Sequence, residues 1–205
     1  VEALTRGMNG RYEKITVTDP LGRPTDAVYG ILEDSHTAVI EMLAAAGITL
    51  IDAKDRNPMN TTTYGVGEMI KDAIGKGCRH FFIGIGGSAT NDGGIGMLQA
   101  LGYGMLDTEG KQVSFGAKGL AELVSITDKD VLPELKECTF QIACDVKNPL
   151  CGELGCSAIF GPQKGATPDM IAQMDSWLGK YALLTANRYK KADSNYPGTG
   201  AAGGM

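Results

Sequence analysis

The sequence predicts an α/β protein, and three observations carry that prediction. Residues 79–85 have the apolar pattern of a buried strand and run straight into a glycine loop, after which residues 93–101 show helical spacing. Residues 12–18, 27–32 and 37–41 are short strand-like segments joined by tight turns, which read as an antiparallel meander. Residues 168–190 form a long amphipathic segment with Pro168 near its start and Met170, Ile171, Met174, Trp177, Leu178, Tyr181 and Leu184 on one face.

The remaining elements follow in chain order. Asp19-Pro20-Leu21-Gly22 and Glu33-Asp34-Ser35 supply the two meander turns. Residues 64–76 place Met69, Ile70, Ala73 and Ile74 at helical spacing, with Gly75 and Gly77 where a helix stops. The helix after the glycine loop offers Ile95, Met97, Leu98 and Leu101, and Thr108-Glu109-Gly110 reads as a turn. Residues 139–146 read as a second buried strand that ends on Asp145.

At 205 residues, with 43% hydrophobic content and a net charge of -5, the chain suits one soluble domain or two small lobes. Acidic residues outnumber basic ones and no basic block recurs on one face, which argues against a nucleic-acid partner. No signal-peptide core or membrane-length apolar run is present, so no membrane partner is expected. Five cysteines, Cys78, Cys138, Cys144, Cys151 and Cys156, fit neither a metal pattern nor a paired secreted framework. Reduced thiols in a cytoplasm are the economical reading. The chain starts at Val1 and ends in PGTGAAGGM, a glycine-rich loop leading nowhere, so it reads as a piece of a longer chain.

The loop GIGGSATNDGG is the first chemical signal. Glycine lets backbone approach a ligand, and free N–H groups at a helix start attract negative charge, so phosphate binding stands beside a plain turn. Asp145, followed by Val146-Lys147-Asn148, lies where ligands bind in open α/β sheets, beyond the carboxyl ends of strands. It either holds Mg²⁺, takes a proton from a hydroxyl, or caps its own loop. Lys164, in FGPQKGAT, either neutralises a phosphoryl group or is a solvated loop lysine, the segment itself favouring the second. Thr61-Thr62-Thr63 reads as a cap and turn, and Glu68 as a solvated helix residue. His36 and His80 stand in no triad-like or ligand-like setting and read as structural.

Four segments in order, GIGGSATNDGGIGMLQALG at 84–102, ACDVKNPLCG at 143–152, FGPQKGAT at 160–167 and PGTGAAGG at 197–204, closely resemble the bacterial glycerate kinase family, as does NPMNTTTYGVGE at 57–68. The resemblance covers essentially the whole chain. It implies ATP-dependent phosphorylation of D-glycerate at the 2-hydroxyl. It also implies a two-lobed α/β fold, in which a restriction-endonuclease-like lobe is inserted into a flavodoxin-like lobe. The family's opening lysine motif and its ADGGEGT-type loop are missing, as is its C-terminal portion. Residues 1–205 are therefore expected to be the central part, mainly the inserted lobe with flanks of the other.

That family context gives the retained residues roles, because phosphoryl transfer depends on positioning and charge neutralisation. Gly86, Gly87 and Ser88 would hold phosphate, and Lys164 would neutralise charge. Asp92 or Asp145 would hold Mg²⁺ or orient the attacking hydroxyl, with Asn91 and Asn148 as supporting hydrogen-bonders. ATP, Mg²⁺ and D-glycerate are the implied ligands. The chain alone is expected to be inactive and to self-associate through the surface that normally meets the other lobe. Two competing readings are a dinucleotide-binding oxidoreductase, disfavoured because Ala89 breaks GxGxxG, and a non-catalytic module that binds a small anion.

Overall fold

The computed structural model describes residues 2–205. A short helix α1 (Glu2–Gly7) precedes the meander β1 (Arg11–Thr18), β2 (Pro24–Leu32) and β3 (Thr37–Glu41), antiparallel as the alternation predicted. The first turn forms because Asp19 Oδ1 accepts the amides of Leu21 and Arg23, each at 2.8 Å. A short α2 (Leu43–Ala46) leads to α3 (Tyr64–Gly75), which returns the chain to β4 (His80–Gly84). Then come α4 (Ile95–Ala100), the hairpin of β5 (Gly104–Leu106) and β6 (Ser125–Thr127) with α5 (Ala117–Glu122) between its strands, and β7 (Thr139–Ala143). Two helices, α6 (Cys156–Phe160) and α7 (Pro168–Arg188), complete the regular structure.

Five strands form one sheet in the order β1-β2-β3-β4-β7. β3, β4 and β7 run parallel, with Glu41, Gly84 and Ala143 side by side at their carboxyl ends. Three strand ends therefore open onto one edge, the place where α/β sheets bind ligands.

Two cores hold this frame. Helix α3 buries Val66, Met69, Ile70 and Ala73 against Val17, Tyr29, Ile40, Phe81 and Ile83 of the sheet. Tyr29 is fully buried, and its hydroxyl stays satisfied by donating to Asp72 Oδ2 at 2.5 Å. The second core gathers Ile95, Met105, Leu120, Ile126, Cys156 and Leu178, joining α4, the hairpin, α5, α6 and α7. Helices α3 and α4 approach through Gly67, where an added Cβ would lie 2.4 Å from the Met97 carbonyl oxygen.

Two expectations are corrected. The strand at 139–146 is shorter, ending at Ala143, and it is exposed along its length rather than buried. It is the edge of the sheet, and Phe82, Phe140 and Ile142 keep 40%, 41% and 49% of their surface exposed. Glu68 is not a solvated helix residue, because its carboxylate accepts the Thr18 amide at 2.6 Å and ties α3 to the end of β1. Helix α7 is capped by the Thr167 hydroxyl but fully buries only Met174 and Leu178, since it lies on the outside of the second core. Among the described residues no helix is long and apolar enough to cross a membrane.

Gly67→Ala should lower unfolding stability by about 2 kcal/mol, the overpacking cost exceeding the gain in helix propensity. Gly75→Ala, whose Cβ would meet nothing within 4 Å, should be neutral or slightly stabilising. Urea titrations of both variants check the pair, and equal effects would show that the α3–α4 approach is not tight.

Candidate functional site

Beyond the carboxyl ends of β4 and β7 lies a cavity of about 190 Å³. Its walls are the loop carrying Gly86, Gly87 and Ser88, the segment 143–146 with Cys144 and Asp145, the turn carrying Phe160, Gln163 and Lys164, and Ala201 with Ala202. Five of the predicted site residues, Gly86, Gly87, Ser88, Asp145 and Lys164, thus meet at one place. Asp92, Asn91 and Asn148 do not line it.

The glycine loop is pinned from outside. Ile48 donates to the Gly87 carbonyl at 2.8 Å and Ala89 donates to the Ala46 carbonyl at 2.9 Å, locking the loop to the end of α2 and the residues just after it. Gly87 takes φ +73°, a left-handed conformation that a side chain would strain. Among the described residues, the amides of Gly86 and Gly87 and the Ser88 hydroxyl have no hydrogen-bond partner. Free donors on a concave wall suit an anion.

Asp92 has a different task from the one expected. It is fully buried, and its Oδ2 accepts both the Thr63 amide and the Thr63 hydroxyl at 2.9 Å, while Oδ1 accepts the Gly94 amide at 3.1 Å. Burial pushes its carboxyl above the usual range, and the hydrogen bonds from Thr63, Gly94 and Gly96 oppose that rise. With its oxygens engaged, it is neither an accessible metal ligand nor a base. It also occupies the start of α4, so the helix-terminus anion site expected from the sequence is filled by the protein's own carboxylate. The threonine run does more than cap. Thr63 Oγ1 accepts the Met97 amide at 2.9 Å, and Thr61 donates to the Ala89 carbonyl at 2.8 Å.

Lys164 is buried rather than solvated, with 2% of its surface exposed. Pro162 opens a single 3-10 turn and Gly165, at φ +91°, closes it, which aims the side chain inward. Its Nζ donates to the Thr90 carbonyl oxygen at 2.5 Å. Burial pulls the ammonium down from 10.5 to about 8, with Cys156 and Asp92 acting in the opposite direction. A positive charge thus sits buried in the wall of the cavity. Asp145, in the same lining, is exposed.

Asn91 is buried and donates to Ser157 Oγ at 2.9 Å, and Asn148 donates to the Leu154 carbonyl at 2.8 Å. Both join segments outside the cavity lining. His80 pairs with Thr139 Oγ1 at 2.8 Å and His36 ends a turn at φ 49°, structural roles as expected. All five cysteines are free. Sequence reasoning missed Cys144, Gln163 and the terminal loop. That loop is anchored by the Gly93 amide donating to the Gly203 carbonyl at 2.9 Å, and Ala202 adopts φ 52°, a left-handed strain for a residue with a Cβ. The run of glycines around Ala202 was the available signal. Among the described residues no cluster of three or more metal-ligating side chains occurs.

A family model described as the glycerate kinase family matches residues 1–205. The chain is 48% identical over its full length to a glycerate kinase of Haemophilus influenzae and 46% identical to a glycerate 2-kinase of Escherichia coli, covering 54% of each. A crystal structure from Salmonella typhimurium LT2, described as a candidate glycerate kinase 2, superposes with a TM-score of 0.97 at 46% identity, over 100% of this chain and 55% of that one. The chain therefore spans about half the length of the curated relatives it matches.

Asp92→Ala should cost about 3 kcal/mol or more, because it strands buried donors from Thr63 and Gly94. Chemical denaturation measures it, and a loss below about 1 kcal/mol, the worth of one ordinary hydrogen bond, would mean that the loop holds without Asp92. Lys164 gives a pH signature. Below pH 8 both states carry the proton, whereas between about 8 and 10.5 the unfolded chain binds a proton that the folded one has lost, so stability rises with pH. Relative to Lys164→Met, which lacks this titration, the native protein should gain up to about 3 kcal/mol between pH 7 and pH 10.5. Paired denaturation curves at the two pH values check the difference, and a constant gap would mean that the ammonium is solvated.

Proposed function

The chain belongs to the glycerate kinase family, and from that premise we propose that the full-length protein transfers the terminal phosphoryl group of ATP to D-glycerate, giving 2-phosphoglycerate. The observation that carries this reading is one cavity that combines the free Gly86 and Gly87 amides, the buried Lys164 ammonium and the exposed Asp145 carboxylate. Phosphoryl transfer asks for those groups and little covalent chemistry.

The Gly86 and Gly87 amides and the Ser88 hydroxyl hold anionic oxygens by hydrogen bonds. Lys164 places fixed positive charge where water is scarce, which strengthens its pull on an anion. Asp145, which has no hydrogen-bond or ion-pair partner among the described residues, accepts the proton of the attacking hydroxyl. The donor set also fits Mg²⁺, which needs only one or two carboxylates beside phosphate oxygens and water, and Asp145 is the residue that would hold it. When bound, the ion neutralises charge on the phosphates. Five free thiols support a cytoplasmic setting.

A coupled ADP-release assay on the full-length protein, with phosphorus NMR of the product, tests the proposal. ATP should be consumed only when D-glycerate is present, and the phosphate should appear on the 2-oxygen. Asp145→Asn keeps the shape and removes the charge, so turnover should drop by roughly a hundredfold or more. Near-normal turnover would reduce Asp145 to a loop residue, and glycerate-independent ATP consumption would sink the kinase reading.

A further inference from the structure

We propose that Ser157, through the hydrogen bond it accepts from Asn91, is a positioning residue for phosphoryl transfer: the pair fixes the short stretch of chain that sets where the Lys164 ammonium stands. The kinetic consequence rests on the kinase reading above, whereas the placement of Lys164 does not.

Two adjacent residues of the glycine loop hold the two ends of one stretch. Asn91 Nδ2 donates to Ser157 Oγ at 2.9 Å near the start of α6, and the Thr90 carbonyl oxygen accepts Lys164 Nζ at 2.5 Å in the turn that follows α6. Thr90, Asn91 and Ser157 are fully buried and Lys164 nearly so, which places both grips inside the protein.

The chain between the grips has no slack. The Gly161 amide donates to the Ser157 carbonyl at 3.1 Å, and the Gly161 carbonyl accepts the Lys164 and Ala166 amides at 3.0 and 3.1 Å. An added Cβ at Gly161 would lie 2.3 Å from the Ser157 carbonyl oxygen, so helix and turn meet in backbone contact. A displacement at Ser157 is therefore passed through two hydrogen-bonded turns to Lys164. A misplacement of about 1 Å in a group that acts on the transition state can cost about a hundredfold in rate.

The energetics separate this role from simple stabilisation. Asn91 Oδ1 is buried with no hydrogen-bond partner among the described residues. A half-satisfied buried amide costs free energy that a matched apolar pair would not. The polar pair is thus poor at stabilising the core and good at fixing direction, because a hydrogen bond is directional and an apolar contact is not.

The experiment uses the full-length protein with Ser157→Ala, and with Ser157→Ala combined with Asn91→Leu, which removes the donor along with its acceptor and so guards against unfolding. At pH 7 kcat should fall about tenfold or more in both, with KM for ATP and D-glycerate moved less than about twofold. The urea midpoint of the double variant should lie at or above the native one. On a Lys164→Met background Ser157→Ala should cost no further turnover, since its effect runs through the ammonium. A second readout needs no turnover. Burial holds the Lys164 ammonium down at about 8, with Cys156 on α6 and Asp92 before α4 acting in the opposite direction. Released from its place the ammonium returns toward 10.5, so the rise in folding stability between pH 7 and pH 10.5 should largely disappear in both variants. Native kcat in the double variant, a further loss on the Lys164→Met background, or an undiminished rise of stability with pH overturns the proposal. Loss of that rise in a protein whose native form consumes no ATP in response to glycerate would instead sink the kinase reading and leave the placement of Lys164 standing.

Discussion

The buried carboxylate of Asp92 is the interaction on which the rest of the site depends. It sits at a crossing of three segments, the threonine run before α3, the glycine loop after β4 and the start of α4, and it accepts hydrogen bonds from Thr63 and Gly94. A carboxylate inside protein is costly unless such donors surround it. The threonines answer that cost, and in doing so they fix where the loop leaves the sheet. Thr61 then holds the Ala89 carbonyl, so the backbone just past Gly87 has little freedom.

A second buried charge builds on that frame. Lys164 donates to the Thr90 carbonyl, between the segments that Thr61 and Asp92 restrain, and so draws the turn after α6 onto the glycine loop. Asp92 also favours its charged form across the protein interior. Two opposite charges, each placed by a different loop, hold the cavity wall from behind. Among the described residues the Gly86 and Gly87 amides and Asp145 have no partner, which suits binding more than stability.

The sheet shows a similar division. Its meander side, β1 to β3, is packed by α3, whereas β7 is an edge strand with apolar residues in solvent. The chain covers about half the length of the curated relatives it matches.

Periodicity and turn residues by themselves determined the meander, the strand into the glycine loop, α3 and α7. Each of these is set by local rules, such as alternation, caps and glycine stops, that operate within about ten residues. The motifs also determined the family and brought Gly86, Gly87, Ser88, Asp145 and Lys164 into consideration. Only the tertiary structure decided which polar groups are buried. Lys164 looks like a solvated loop lysine because its burial depends on Thr90, 74 positions earlier, and Asp92 looks available because its donors at Thr63 lie 29 positions away. The terminal glycine loop seemed to lead nowhere until the fold laid it on Gly93. Burial and hydrogen-bond satisfaction are properties of segments distant in the chain, so no local pattern encodes them, and they are what separates a carboxylate that supports the loop from one that faces a substrate.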